Sequence, residues 1–314
     1  MRTLVTGGAG FIGSVLVDRL LAEGCTVDVV DDLSSGTLAN LSEARSQPGR
    51  QMSFQRLDVA NLEIADYIVR KKPEVVFHLA AQTRVDVSIA RPSFDAAVNI
   101  GGTLNVLEGC ARAGTRKVCF TASGTTLYGP TPEMPTREGA RWQPESPFGV
   151  SKKAALDYMH YYRELRGLEY SALALANVFG PRQDPEGGVV AAFATRMVDH
   201  TPATIKGDGL QTRDFVFVDD VVDALWRAAT RAGGLVVNIG TGIATSVQAV
   251  HDAMAALTGS RHAARYEPAL TGDIRSSALD PGRAEIHLGW KPWTPFGDGL
   301  AHTIEHFEGA RRSR

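Results

Sequence analysis

The sequence has few cysteines, no excess of charge of one sign and no long apolar run. Cys25, Cys110 and Cys119 are an odd number and lie far apart, so we expect reduced core residues and neither a disulfide framework nor a metal site. The formal net charge of −2 excludes the basic surface that nucleic acid or an anionic membrane would select. No apolar stretch approaches the ~18 residues of a membrane span. We therefore expect a cytoplasmic protein with no nucleic-acid or membrane partner, and no signal peptide ahead of "MRTLVTGG".

What is present is a regular alternation of strand and helix patterns. The predicted strands of the first half are "TLVTG", "VDVVD", "MSFQRLD", "EVVFHLA", "KVCFTAS" and "YSALALANV". The predicted helices cover 11–23, 62–71, 94–113 and 149–166. Apolar strands that alternate with helices indicate a parallel sheet covered on both faces.

A glycine-rich turn follows the first predicted strand. "LVTGGAGFIG" places Gly7, Gly10 and Gly13 between that strand and the first helix. Glycines there let the backbone approach a pyrophosphate, whose charge would lie at the helix N-terminus. Asp31 closes the second strand, where an acid can accept both hydroxyls of an adenosine ribose and repel a 2′-phosphate. The order of strand, turn, helix, strand and acid predicts dinucleotide binding, with NAD favoured over NADP. A structural glycine turn is the alternative.

Beyond Pro181 the pattern loosens, and Gly and Pro become frequent. We predict a helix over 189–199, a strand "DFVFVDD" that runs into a helix to Arg231, a buried strand "LVVNIGTG" and a helix capped by Ser246. The predicted fold class is α/β, a Rossmann-type doubly wound parallel sheet with a smaller C-terminal α/β substrate domain. The predicted domains are 1–180, joined by a strand and helix from about 214–242, and a discontinuous domain over 181–314.

Polar and small residues follow several predicted strands. Asp58 after the third strand is placed to reach an adenine edge, although a strand-end cap is an equal alternative. Ala80 and Ala81 after the fourth strand would let backbone lie against a cofactor. Five hydroxyl residues end the fifth strand or follow it, and any single one could be a turn residue: Thr121, Ser123, Thr125, Thr126 and Tyr128. Because ligands bind at the carboxyl ends of such strands, the group suggests donors for a polar substrate.

Phe148 and Lys152 stand four residues apart at the start of a predicted helix. They share a helix face, so the ring and the ammonium should point into the same space. A lysine held over a site can supply a positive charge and exchange protons, whereas a phenylalanine has no proton to exchange.

With these motifs assembled, the chain resembles the extended short-chain dehydrogenase/reductase superfamily, and within it the UDP-glucose 4-epimerase group. The resemblance runs through "VTGGAGFIGS", "DDLSSG", "FHLAAQ", "LYG", "GVSKKAA", "NVFGPRQ", "GDGLQTRDFVFVDDVVDA", "NIGTG" and "LGWKP". It implies a bound NAD⁺ that takes hydride from C4 of a UDP-hexose and returns it to the other face of the 4-keto sugar. It also implies a UDP-sugar-binding second domain and a homodimer formed through the helices over 94–113 and 149–166.

The resemblance assigns roles residue by residue. Lys152 would bind the nicotinamide ribose and lower the pKa of a catalytic tyrosine, but Phe148 occupies the tyrosine position. The assisting hydroxyl falls on Thr125 or Thr126, since aligning on "LYG" places Gly124 at the usual position. The implied cofactor residues are Gly7, Gly10, Phe11, Ile12, Asp31, Asp32, Leu33, Ser35, Gly36, Asp58, Val59, Leu79, Ala80, Ala81, Gln82, Asn99 and Lys152.

The implied substrate residues lie mostly in the second half of the chain: Thr125, Phe148, Asn177, Val189, Phe193, Lys206, Arg213 and Asp273. Arg213 would clamp the diphosphate, since a guanidinium fork suits phosphate, and an ion pair with Asp214 or Asp219 is its alternative. Asp273 would hold the uridine ribose. In the family, the residue four after this acid acts as a gate, and here it is Ser277, whose small side chain suggests room for an N-acetyl group at C2.

Three other functions are compatible with parts of the sequence. A UDP-glucuronic acid 4-epimerase would differ only in its sugar. A sugar-nucleotide 4,6-dehydratase needs an acid pair before the tyrosine of "YG", and "TTLYG" has none. A non-catalytic NAD- and UDP-sugar-binding protein would make sense of Phe148. An epimerase that is impaired by Phe148, whether through a natural or an engineered tyrosine replacement, is the favoured hypothesis.

Overall fold

The central element of the fold, seen in a computed structural model, is a seven-stranded sheet. The structure describes residues 1–46, 49, 51–131, 133–269 and 274–312. The strands are β1 (Arg2–Thr6), β2 (Thr26–Asp31), β3 (Met52–Arg56), β4 (Val75–His78), β5 (Lys117–Ser123), β6 (Glu169–Leu175), β7 (Asn177–Phe179), β8 (Thr204–Lys206), β9 (Thr212–Arg213), β10 (Phe215–Phe217), β11 (Leu235–Ile239), β12 (Thr245–Ser246) and β13 (Arg265–Glu267). The central sheet has the order β11-β6-β5-β4-β1-β2-β3, and every pair in it is parallel. The strand order reverses at β1, as in a Rossmann fold, which confirms the predicted fold class.

Helices cover both faces of this sheet. They are α1 (Phe11–Ala22), α2 (Ser42–Ser46), α3 (Glu63–Lys71), α4 (Val85–Ala90), α5 (Pro92–Ala96), α6 (Gly102–Ala113), α7 (Gly124–Tyr128), α8 (Pro147–Arg166), α9 (Val189–Val198), α10 (Val218–Ala228), α11 (Val247–Thr258), α12 (Gly282–Leu288) and α13 (Phe296–Arg312). A π-helical turn, Ala97–Gly101, joins α5 to α6. The predicted helix over 94–113 is therefore broken into two helices with a wider turn between them.

Two apolar clusters form the core, one on each face of the sheet. The first packs α1 and α10 on the sheet and continues into α9, α11 and α13, through residues such as Leu16, Leu225, Phe193, Met254 and Leu300. The second packs α3, α6 and α8 on the other face. Because the first cluster runs without a break into the C-terminal segments, the chain after Pro181 is packed against the sheet.

The sequence pattern was wrong about one strand. "YSALALANV" was predicted as a single strand, but the structure divides it at Ala176 into β6, which lies in the central sheet, and β7, which pairs with β10 in a separate two-stranded sheet. The chain then returns to the central sheet as β11, which pairs with β6. The proposed division into domains at residue 180 stays a prediction.

Two expectations from composition concern the state of the cysteines and the presence of a membrane-spanning helix. Cys25, Cys110 and Cys119 are buried and free, and burial raises the pKa of the Cys110 and Cys119 thiols to about 12. No helix in the described part of the chain has the length and hydropathy needed to cross a bilayer.

Candidate functional site

The turn between β1 and α1 can exist only with glycine at key positions. Gly7 has a φ of +70°, and a Cβ added to it would lie 2.7 Å from the backbone nitrogen of Ala80. A Cβ on Gly13 would lie 2.1 Å from the carbonyl oxygen of Gly7. Gly10 precedes α1 and supplies no side-chain cap, so the first N–H groups of the helix are left for another acceptor. Such a helix start binds phosphate groups well.

Asp31 lies at the carboxyl end of β2, beside this turn. Its Oδ2 accepts a hydrogen bond from the backbone N–H of Ala9 at 2.9 Å, and its Oδ1 accepts one from that of Leu33 at 2.8 Å. Burial raises the pKa of this carboxyl, and the two backbone bonds oppose that shift. A Cβ on Gly36 would lie 3.0 Å from Oδ1, so the loop closes tightly round the carboxylate. A carboxylate has about four acceptor positions, and the ones that remain can receive further hydroxyl donors.

A cavity of about 1260 Å³ opens at the carboxyl ends of the central strands. The cavity brings most of the predicted cofactor residues together with Phe148 and Lys152 at the start of α8. These lining residues are Gly7, Gly10, Phe11, Ile12, Gly13, Asp31, Asp32, Ser35, Asp58, Val59, Leu79, Ala80, Ala81, Gln82, Phe148 and Lys152. One continuous space therefore links the glycine turn to Lys152.

Three predicted cofactor residues support this lining from behind. Leu33 and Gly36 shape the loop that holds Asp31. Asn99 is buried, and its Oδ1 accepts a hydrogen bond from the backbone N–H of Gln82 at 2.9 Å.

Phe148 and Lys152 lie on one face of α8, as predicted, and both are buried, with 6% and 4% of their surfaces exposed. The Lys152 Nζ donates to the carbonyl oxygen of Thr121 at 3.1 Å. It lies 5.8 Å from the centre of the Phe148 ring and 4.6 Å from that of Phe120. Burial lowers the pKa of Lys152 to about 8, against the opposing charge of Asp95. The ammonium is therefore protonated at neutral pH and poised to stabilise a nearby negative charge.

The structure brings Ser123 to the cavity, together with Thr121, and does not bring Thr125 or Thr126 there. After Ser123 the chain turns into the short helix α7. Thr125 Oγ1 donates to Ser277 Oγ at 3.2 Å, and Thr126 Oγ1 lies 3.4 Å from the carbonyl oxygen of Ser123. Ser123 was noted in the sequence among five hydroxyl residues but was assigned no role. Its position as the last residue of β5 is the signal that could have singled it out.

Tyr128 is a core residue and has no access to the cavity. Its hydroxyl donates to Asn238 Oδ1 at 2.7 Å in the interior, and burial raises its pKa. It is therefore not a replacement for the hydroxyl that Phe148 lacks.

The residues assigned to the substrate are more dispersed, and those described lie outside the cavity lining apart from Phe148. The guanidinium of Arg213, on β9, donates to the carbonyl oxygen of Thr212 at 2.7 Å. Asn177 begins β7, and its backbone N–H donates to the carbonyl oxygen of Asp214 at 2.8 Å. Val189 begins α9, Lys206 is exposed on β8, and the buried Phe193 ring meets His251 edge-on at 5.7 Å. Asp273 lies outside the described residues.

Several residues that line the cavity were not predicted. They lie before and in α4, at the end of β6 and just after it, and in β7 and the loop that follows it: Arg84, Val87, Leu175, Ala176, Val178 and Gln183. In the described ranges no group of three or more His, Cys, Asp or Glu side chains is arranged to hold a metal ion.

The parallel sheet, the glycine turn and the acid at the end of β2 together define a dinucleotide-binding protein of the Rossmann type. The sequence matches the NAD dependent epimerase/dehydratase family over residues 3–240, and the chain belongs to that family. This confirms the resemblance noted in the sequence.

Individual relatives resemble the chain over its whole length. It is 46% identical over 310 residues to a UDP-glucose 4-epimerase of Mycolicibacterium smegmatis, with 98% of each chain covered. Its fold is similar to that of a UDP-glucose 4-epimerase with UDP-glucose from Thermotoga maritima, with a TM-score of 0.95 and 40% identity over 99% of this chain and 100% of that one. A Thermus thermophilus UDP-glucose 4-epimerase in complex with NAD gives a TM-score of 0.91 and 37% identity over 99% of this chain and 100% of that one.

Proposed function

We propose that the protein is an NAD-dependent epimerase that inverts C4 of a UDP-hexose, and that Phe148 impairs it. The observation that carries this proposal is the single cavity that joins the glycine turn and Asp31 to Lys152 and Phe148. The names of the whole-length relatives support the substrate class.

The residues present fit NAD. The close approach of Gly7 to Ala80 leaves no room for a Cβ, which is the backbone cradle that a pyrophosphate requires. Asp31 would hold the adenosine ribose, Asp58 would face the adenine, and Lys152 would hold the nicotinamide ribose. When bound, NAD⁺ would accept the hydride from C4 and give it back to C4.

The other residues would manage the C4 hydroxyl and the UDP group. Ser123, at the cavity wall, would hold the hydroxyl in place of Thr125 or Thr126. The Lys152 ammonium would stabilise the oxygen as its proton leaves, but the Phe148 ring offers no acceptor for that proton. For the UDP group we propose the residues implied by the resemblance, with Arg213 and Asp273 as its charged contacts and Asn177, Val189, Phe193 and Lys206 around them.

The test is to incubate the protein and its Phe148→Tyr variant with UDP-galactose and to measure UDP-glucose. We expect interconversion with tyrosine and very slow interconversion with phenylalanine. Phe148 also favours a second candidate, a non-catalytic NAD- and UDP-sugar-binding protein. That candidate predicts that both forms bind the sugar nucleotide and neither converts it.

The substrate range is proposed to include the N-acetylhexosamine pair. Ser277 is small and 7% exposed, and it packs against α7 through Thr125. Ser277→Tyr should abolish binding of UDP-N-acetylglucosamine and spare UDP-glucose, because the resemblance places this residue next to C2, where an added ring would fill the space. Calorimetric titration of both nucleotides checks this, with Ser277→Ala as the control that leaves both affinities unchanged. Equal loss of both ligands in Ser277→Tyr would show that the position is not a gate.

A homodimer is proposed from the exposed face of α8. Val150, Tyr158, Tyr161 and Leu165 form an apolar stripe at helical spacing there. We expect sedimentation equilibrium to give the mass of two 33.7 kDa chains, and Leu165→Glu to give monomers. Ile286→Glu, at a comparably exposed apolar position on α12, is the control that should stay dimeric. A monomeric parent protein would refute the dimer.

A cytoplasmic location is also proposed. Its support is the three buried free cysteines, which suit a reducing compartment.

A further inference from the structure

A fully buried carboxylate, Asp95, lies behind the cavity at 0% exposure. Its Oδ2 accepts a hydrogen bond from Ser151 Oγ at 2.5 Å. Its Oδ1 accepts bonds from Gln82 Nε2 at 2.8 Å and Asn99 Nδ2 at 3.0 Å. All three donors are neutral. A buried carboxylate is unfavourable unless its surroundings compensate the charge, so this arrangement calls for an explanation.

The carboxylate sets the orientation of both amides. Because an ionised carboxylate can only accept hydrogen bonds, the NH₂ groups of Gln82 and Asn99 must face Asp95. The Asn99 Oδ1 is then left for the backbone N–H of Gln82, while Asn99 Nδ2 also donates to the carbonyl oxygen of Gln82 at 2.9 Å. The Gln82 Oε1 accepts from the backbone N–H of Arg84 at 2.6 Å. Asp95 therefore braces the segment 82–84, which lines the cavity after β4.

The same carboxylate acts on Lys152 in two ways. Ser151 is the neighbour of Lys152 on α8, so its bond to Asp95 anchors the turn that carries the ammonium. The Asp95 charge also opposes the fall in the Lys152 pKa that burial causes. Among the residues that the structure describes, His78 on β4 also faces Lys152, and its pKa is held at about 3 by burial and by the Lys152 charge. His78 is thus neutral at physiological pH, and Asp95 supplies the negative charge that raises the Lys152 pKa.

We propose that Asp95 is a positioning residue that holds the segment 82–84 and the Lys152 ammonium in the arrangement needed by the nicotinamide half of a bound NAD. This role rests on the proposed function, because it presupposes that NAD occupies the cavity. Asp95 itself does not line the cavity and takes no part in a chemical step.

The test is the release of NAD from the purified holoprotein, followed at pH values on both sides of 8. Asp95→Asn presents an NH₂ group to donors and removes the charge. We expect release at least ~10-fold faster, the scale of one lost hydrogen bond to a charged group. In the parent, release should accelerate with rising pH as Lys152 loses its proton. In Asp95→Asn that acceleration should begin at a lower pH, because the pKa of Lys152 falls.

The matched control is Asp220→Asn. Asp220 is also a buried carboxylate with neutral donors, and it accepts from Thr294 Oγ1 at 2.9 Å. It lies on α10, which packs on the opposite face of the sheet from α8. This variant should lose thermal stability and keep the parent's release rate and pH profile. Asp95→Asn with a parental rate and profile would overturn the role of Asp95. A parent protein that binds no NAD at any pH would instead overturn the proposed function, and the role of Asp95 with it.

Ser151→Ala keeps the proposal testable if Asp95→Asn does not fold. It removes one donor from Asp95 and leaves the charge in place. Release about 3- to 10-fold faster than in the parent is expected from the loss of one hydrogen bond. An unchanged release rate in the folded Ser151→Ala protein would overturn the proposal.

Discussion

Phe148→Tyr should raise kcat for the interconversion of UDP-galactose and UDP-glucose by at least ~10²-fold, the low end for a general base. The ring is buried against the cavity, and a tyrosine ring has the same shape. Folding and substrate affinity should therefore change little. An effect on kcat with a constant KM is what the loss of a group used only in the transition state produces.

The reason lies in the Lys152 ammonium. Its Nζ is 5.8 Å from the Phe148 ring centre, so a phenol added there would lie near a positive charge, and a nearby cation lowers a phenol pKa. Lys152 is a poor replacement for the base at neutral pH, because below its pKa of about 8 it is mostly protonated. It also donates to the Thr121 carbonyl oxygen.

Second substitutions in the Phe148→Tyr background check the mechanism. Lys152→Met should remove the gain, and Ser123→Ala should reduce kcat by ~10-fold or more because Ser123 lines the cavity. Thr125→Val is the control with little effect, since the Thr125 hydroxyl is directed to Ser277. Equal activity with phenylalanine and tyrosine would assign the proton transfer to another residue. If neither form converts any UDP-sugar, the epimerase proposal fails.

The features that could be predicted are those that depend on a single stretch of sequence. The glycine turn and Asp31 depend on the local order of strand, turn and helix, and the structure places both at the cavity. The pair Phe148 and Lys152 follows from helical spacing alone. Each of these needs only one stretch of chain and one known period.

The features that the sequence does not specify depend on contacts beyond one stretch of chain. The assisting hydroxyl, which alignment on "LYG" assigns to Thr125 or Thr126, stays a prediction. Because α7 begins directly after Ser123, Ser123 lines the cavity and neither threonine does. The apolar run "YSALALANV" gave no sign that β7 pairs with β10, because apolar composition does not specify a strand's partner. The contacts of Asp95 with Gln82 and Ser151 join three segments, and no spacing within one segment predicts them.

Asp31→Ala should weaken NAD binding by ~10²-fold, the scale of two hydrogen bonds to a charged acceptor. The parent protein should carry NAD(H) through purification, because an epimerase regenerates its cofactor within the site and needs no step that releases it. Denaturing the protein and assaying the supernatant measures this content, and titration of the variant measures the loss. The variant should also discriminate less against NADP, since the carboxylate that repels a 2′-phosphate is gone.

Asp28→Asn separates this effect from a general loss of charge on β2. Asp28 is buried on the same strand, but its carboxylate faces Lys71 Nζ at 2.5 Å and Arg2 Nε at 3.4 Å, away from the cavity. Its loss should lower stability, because it breaks partly buried ion pairs of a buried carboxylate, and leave NAD affinity intact. Asp31→Ala removes the acceptors of the Ala9 and Leu33 N–H groups as well, so its thermal stability must be compared with that of Asp28→Asn. If Asp31→Ala keeps the parent's NAD content, or if the parent carries NADP, the cofactor site is not built around Asp31.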